Sequence, residues 1–255
     1  MTWHTRNAEH RCVVIIPARD EAPALRQLLP EVPLWVDQVI VVDNGSSDAT
    51  AEVAAGAGAL VISVPEPGYG RACLAGIAAA QALAPDIIIF MDGDRSDVPE
   101  QMARLVAPIA DDERDMVIGS RTLGECEAGA LTLQQYFGNR LACSLIRLFW
   151  GHGYSDLGPF RAIGNDALRQ LRMREETFGW TVEMQLRALQ CGFRVGEVPV
   201  DYRRRIGHSK ISGTVRGVVL AGYYILRTIG VAAWREHIVR RRCDRIANTI
   251  VDPAE

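Results

Sequence analysis

Lysine is all but missing from this chain of 255 residues. Of its 28 basic residues only Lys210 is a lysine, and the other 27 are arginines. Cysteine is sparse too, with six in all and no CxxC pair or zinc-like spacing among them. That pattern argues against a zinc ribbon and against a disulfide scaffold, and it leads us to expect reduced thiols in a cytoplasmic protein. The stretch from Thr2 to Arg11 is polar and lacks the apolar centre of a signal peptide. No surplus of positive charge exists, since 28 basic residues face 31 acidic ones for a net charge of −3, so a general nucleic-acid binder is excluded. What is present is ordinary: 48% hydrophobic and 23% charged residues exclude a disordered or fibrous chain. A chain of this length buries enough surface to hold a core without crosslinks.

The charge is unevenly placed. From Arg203 to Arg245 eleven basic residues meet only Glu236 and Asp244. Such a block reads either as a solvated helix face or as a segment that meets phosphates or an anionic membrane surface. Within it, Val215–Trp234 is apolar but interrupted by Arg216, Arg227 and three glycines. It falls short of the ~20 clean residues of a membrane span, leaving an interfacial helix or a packed one.

Four short runs rich in β-branched residues, Cys12–Ile16, Val39–Val42, Leu60–Val64 and Ile87–Met91, are continuous rather than alternating. They read as strands of a parallel sheet buried on both faces. Between them lie helical stretches: Glu21–Leu29, Ser47–Ala57 with Ser46 or Ser47 as N-cap, and the alanine-rich Arg71–Leu83. Helix Pro99–Ile109 and strand Met116–Gly119 continue the alternation, which gives an α/β fold with right-handed crossovers.

Ligands of open α/β sheets sit beyond the carboxyl ends of the strands. Those ends are polar here: Pro17-Ala18-Arg19-Asp20-Glu21, Asp43-Asn44-Gly45-Ser46-Ser47-Asp48, Pro67-Gly68-Tyr69-Gly70-Arg71 and Asp92-Gly93-Asp94. A dinucleotide-binding domain would need GxGxxG after the first strand, which carries no glycine. A sugar nucleotidyltransferase would need a lysine near that strand, and a haloacid-dehalogenase phosphatase would need Thr or Val where Ser96 stands.

Taken together the loops resemble family 2 glycosyltransferases, and most closely the branch that makes polyprenol-phosphate mannose or glucose. The matching pieces run in order from Val13 to Lys210: Val13–Glu21, Val41–Asp48, Gly70-Arg71-Ala72, Phe90–Asp94, Gly119-Ser120-Arg121, Gly158–Arg161 and Arg204–Lys210. The resemblance implies a GT-A fold: a Rossmann-like, mostly parallel sheet with helices on both faces. It also implies an inverting transfer of a hexose from a UDP- or GDP-sugar. We expect residues 1–213 to form the transferase domain and 214–255 a basic helical extension.

Two carboxylates on a tight turn hold a hard cation, so Asp92 and Asp94 are the expected ligands of Mg²⁺ or Mn²⁺ bridging a diphosphate. On its own the DxD turn would read equally as a capped turn. By resemblance Asp43 meets the nucleobase, Glu21 the ribose, and Pro17 and Arg19 line the base pocket, with Gly70 and Gly93 also among the expected nucleotide-sugar contacts. Asp48 reads either as a helix-start charge or as a nucleotide contact. Arg121, Arg204 and Lys210 are the candidates for stabilising the departing diphosphate. A solitary lysine at the RxxGxSK position suggests a place where guanidinium does not fit.

The expected acceptor is a polyprenyl phosphate, ionised at neutral pH and in no need of a base. The alternatives are a hydroxyl acceptor with Glu183, or secondarily Asp156, as general base, and a non-catalytic nucleotide-sugar binder. Leu157-Gly158-Pro159-Phe160-Arg161 departs from the Ser-Gly-Phe-Arg usual in the branch. The location that follows is cytoplasmic, peripheral on the inner membrane face.

Overall fold

The structure is a computed structural model that describes residues 10–207 and 215–251, with 215, 216, 218 and 237–251 described by backbone only. Lys210, with His208 and Ser209, lies outside the described residues. The elements run β1 (Cys12–Ala18), α1 (Ala22–Leu28), β2 (Gln38–Asp43), α2 (Thr50–Gly56), β3 (Leu60–Ser63), α3 (Tyr69–Gln81) and β4 (Ile87–Phe90). They continue as α4 (Met102–Ala110), β5 (Met116–Ser120), α5 (Leu133–Trp150), β6 (Arg161–Gly164), α6 (Asn165–Leu171), α7 (Trp180–Gln190), β7 (Val195–Pro199) and α8 (Val215–Val251).

The seven strands form one sheet in the order β3-β2-β1-β4-β6-β5-β7. Only β6 runs against its neighbours, pairing antiparallel with β4 and β5. Alternate residues of β1 feed opposite cores. Val13 and Ile15 pack with α3, α5 and α7, whereas Cys12, Val14 and Ile16 pack with α1 and α4. Burial on both faces explains the continuous apolar runs. The exception is β3, whose Leu60 is 39% exposed. As the last strand of the sheet it has one neighbour and is only partly covered, which corrects the expectation of full burial for that run.

Neither Ser46 nor Ser47 caps α2, which begins only at Thr50 after Ala49. The serines instead tie the first two strand ends together. Ser46 Oγ accepts from the Asp20 amide at 2.9 Å, and the Ser47 amide donates to Asp20 Oδ1 at 2.6 Å. The helix expected from Pro99 opens as a 3-10 turn over Pro99–Gln101 before α4 begins. Among the described residues no helix is long and apolar enough to cross a membrane. Helix α8 packs on α5 and α7 and buries Ile229, so the first part of the basic extension lies against the sheet's helical layer.

Candidate active site

Beyond the carboxyl ends of β1, β2 and β4 opens a cavity of about 400 Å³. Pro17, Arg19, Glu21, Asn44, Asp92, Gly93 and Asp94 line it from the strand ends. Gly68 and Tyr69 contribute from the start of α3, Thr177 and Phe178 from the loop before α7, Arg205 from the segment after β7, and Leu220 and Tyr224 from α8.

The β4 turn is built by its own polar groups. The Asp92 amide donates to Asp97 Oδ2 at 3.2 Å, and Asp94 Oδ1 accepts from the Ser96 amide at 2.9 Å and from the Ser96 hydroxyl. A Cβ on Gly93 would sit 3.2 Å from the Ala18 Cβ, so glycine there lets this turn lie against β1. Tyr69 donates its hydroxyl to Asp92 Oδ1 at 3.1 Å. Across the cavity Arg205 reaches two carboxylates, Asp94 Oδ2 at 3.2 Å and Glu21 Oε1 at 3.1 Å.

This concentration of carboxylates has an electrostatic consequence. Burial and the neighbouring Asp94 push Asp92 up to about 6, against the lowering effect of the Tyr69 hydrogen bond. Asp97, wholly buried behind the turn, is raised well above the usual range by burial and then by Asp92. Carboxyl groups thus crowd at the end of β4, and burial favours their protonated forms.

Several expected residues have other positions. Asp43 lies at the end of β2 but outside the cavity lining, accepting from the Ser46 amide at 3.1 Å, while its neighbour Asn44 lines the wall. Asp48 accepts from the amides of Ala22 at 3.1 Å and Thr50 at 3.0 Å, joining the starts of α1 and α2. Of its two readings, the helix-start one fits this geometry. Gly70 touches no cavity either: a Cβ there would stand 2.1 Å from the Glu175 carbonyl oxygen, so glycine permits the loop before α7 to press on α3.

Arg204 is exposed and turned to another loop, donating from its amide to Glu127 Oε2 at 2.8 Å and from Nε to the Ala128 carbonyl at 2.6 Å. Of the two neighbours it is Arg205 that lines the cavity. Arg121 is clamped by Asp156 through its amide at 2.9 Å, Nε at 2.8 Å and Nη2 at 2.8 Å, over the Tyr202 ring. Burial opposes its charge, yet Asp156 outweighs burial and holds the guanidinium firmly protonated. Asp156 is itself fully buried, and both of its oxygens serve Arg121.

Glu183 is a clamp as well. Its Oε2 accepts the amides of Arg174 at 3.0 Å and Glu175 at 2.7 Å, and Oε1 accepts Arg187 Nε at 2.8 Å. It does not line the cavity that holds Asp92 and Asp94, so the position a general base requires is not the one it occupies. Arg161, fully buried, donates to the carbonyls of Leu157, Gly158 and Thr181 and braces the turn where the sequence departs from the branch it resembles.

Sequence reasoning missed Arg205, Tyr69 and Asn44. Asn44 had a signal, since it stands inside a motif already singled out. Arg205 and Tyr69 also stand inside segments already singled out, Arg204–Lys210 and Pro67–Arg71, but nothing in the sequence marked them over their neighbours.

The model of the family described as Glycosyl transferase family 2 matches residues 13–171. An uncharacterized glycosyltransferase of Mycobacterium tuberculosis is 35% identical over 213 residues, 82% of this chain and 93% of the relative. The undecaprenyl-phosphate mannosyltransferase of Micrococcus luteus is 29% identical over 225 residues, covering 81% and 90%. Among solved structures, glucosyl-3-phosphoglycerate synthase of Mycobacterium tuberculosis, in complex with Mn²⁺, uridine diphosphate and phosphoglyceric acid, superposes with a TM-score of 0.73. That match covers 91% of this chain and 81% of the other at 21% identity, and it shows the fold.

Proposed function

This chain belongs to glycosyl transferase family 2, and from that premise we propose that it moves a hexose from a UDP- or GDP-sugar to a polyprenyl phosphate, with inversion. The observation that carries the reading is the facing of Asp92 and Asp94 by Arg205 across a cavity at the strand ends. The donor would lie there, its base end toward Pro17 and Arg19 and its diphosphate toward the β4 turn.

The site chemistry suits a hard divalent cation. Burial, and then the neighbouring Asp94 carboxylate, hold Asp92 above its ordinary range, and a bound cation would favour its ionised form. Asp92 and Asp94 would hold Mg²⁺ or Mn²⁺, which would neutralise the diphosphate as it leaves. A metal-bound uridine diphosphate in a protein of the same fold, and an undecaprenyl-phosphate mannosyltransferase among the relatives, support both halves of the reading.

The residues of the chain have separable tasks. Arg205, paired to Asp94 and Glu21, can transfer its donors to diphosphate oxygens when the nucleotide enters, and a preorganised cation there stabilises the charge developing on the leaving group. A lipid phosphate is already anionic and attacks without a base, which agrees with a site where Glu183 and Asp156 are both engaged as clamps.

The test is sugar transfer from UDP-glucose and GDP-mannose to undecaprenyl phosphate with Mn²⁺, wild type against Asp94→Asn. Turnover should fall by ~10²-fold or more in the variant. Unchanged, metal-dependent transfer in Asp94→Asn would remove Asp94 from the site.

A further inference from the structure

A second cavity, larger than the first at about 610 Å³, lies between α7, α8 and the loop that precedes α7. Four arginines line it: Arg174 from the loop, Arg187 from α7, and Arg227 and Arg235 from α8. Arg227 and Arg235 are two helical turns apart, so both guanidinium stems rise from one face.

Carboxylates are present but already engaged. Glu183 serves two loop amides and Arg187, Glu175 Oε1 accepts the Thr177 amide at 3.1 Å, and Glu236 accepts Trp150 Nε1. The ion pair that the structure shows in this groove is that of Arg187 with Glu183, at 2.8 Å. Arg174, Arg227 and Arg235 thus bring three further guanidinium groups to the lining of one concave space, and a planar five-donor fork suits phosphate oxygens.

We propose that this groove is a second anion site that takes a phosphate group, free or carried on a lipid headgroup, and that its occupancy is coupled to the donor cavity. The link is the loop itself. Arg174 and Glu175 line the groove, and Thr177 and Phe178 line the donor cavity. Between them the carbonyls of Glu176 and Thr177 accept the amides of Arg71 at 2.9 Å and Gly70 at 3.2 Å, which seats the start of α3 and so Tyr69 beside Asp92. On the other side Tyr224 and Thr228, one turn apart on α8, face the two cavities. An anion that fixes Arg174 against α8 fixes this loop. The coupling rests on the donor reading above; the anion site does not.

The experiment titrates inorganic phosphate into the full chain without metal or nucleotide, at constant ionic strength set with chloride, and follows calorimetric heat. Saturable binding is expected, weakened roughly 10-fold or more in Arg227→Gln/Arg235→Gln, each lost guanidinium removing a charge-assisted hydrogen bond. Asp94→Asn should leave it unchanged. No saturable binding, or binding lost in Asp94→Asn and kept in the double variant, overturns the site. Both substituted residues are exposed, and Arg227→Lys/Arg235→Lys, which keeps the charge, should recover part of the affinity. Sedimentation with phosphatidylglycerol vesicles separates the sources: retention that phosphate competes away identifies a headgroup, and phosphate binding without such retention identifies a soluble ligand. A UDP affinity that differs with and without saturating phosphate establishes the coupling, and an identical one removes it while leaving the site.

Discussion

At the scale of single residues, the direction of one side chain decides which cation reaches the cavity. Arg204 and Arg205 are neighbours in an irregular stretch, so their side chains diverge. One reaches the 127–128 loop and the other reaches Asp94. The RxxGxSK spacing was visible in the sequence, but a spacing cannot tell which side of the chain faces the cavity. Arg205→Gln should cost ~10²–10³-fold in turnover, the loss expected when one preorganised donor to developing charge is removed. Arg204→Gln, exposed and paired only at the surface, should stay within about 3-fold. Steady-state rates on the two variants check this, and the reverse ranking would return the role to Arg204. Tyr69 makes a pH prediction. Its hydroxyl favours the Asp92 carboxylate, which burial and Asp94 hold at about 6. Metal needs the ionised form, so metal affinity should fall as pH drops through that region. Tyr69→Phe removes a lowering influence, so its fall should begin at higher pH. An acidic limb that stays in place, or moves down, would contradict the role given to Tyr69.

At the scale of elements, the loop before α7 is held from both ends by groups that the sequence presented as chemistry. Glu183 stands in the first turn of α7, where a carboxylate is also favoured by the helix N-terminus, and it collects the amides of Arg174 and Glu175. Gly70 admits the same loop from the α3 side. Both lie in motif-like surroundings, and both position the wall of the cavity rather than touch what binds in it. Long-range pairings such as these have no periodicity to betray them. The clamp predicts that Glu183→Gln, which can still accept amides but loses the charge facing Arg187, will destabilise the fold by about 1–2 kcal/mol. It should raise KM for the donor more than it lowers kcat, and leave the pH–rate profile unmoved. A fall in kcat of roughly 10²–10⁴-fold with loss of the acidic limb, in a folded variant, would restore Glu183 as a base and a hydroxyl as acceptor.

At the scale of the molecule, four strands and the site at their ends were legible because parallel strands buried on both faces leave continuous apolar runs, and the polar loops follow them directly. The second half was not. Strand β6 is four residues long and antiparallel, and its Arg161 is a buried charge at the head of a run too short to stand out. Helix α5 hid for a different reason: it is apolar on more than one side. Leu133, Phe137 and Leu148 are 74%, 64% and 73% exposed, although Ala142, Cys143 and Ile146 of the same helix are buried. On the packed neighbour α8, Val219, Tyr223 and Trp234 are likewise exposed. Exposed apolar surface on this scale marks a place of contact, and it lies in the same part of the chain as the basic block. If that contact is an anionic lipid surface, both terms act together: the chain should sediment with anionic vesicles at low salt, where charge is screened only beyond ~10 Å at 0.1 M. High salt should release part of it and leave the share held by apolar insertion, and Phe137→Ser with Leu148→Ser should reduce that salt-resistant share without changing the melting temperature. Failure to sediment at any salt concentration would turn the reading toward a packed helix pair and a soluble acceptor.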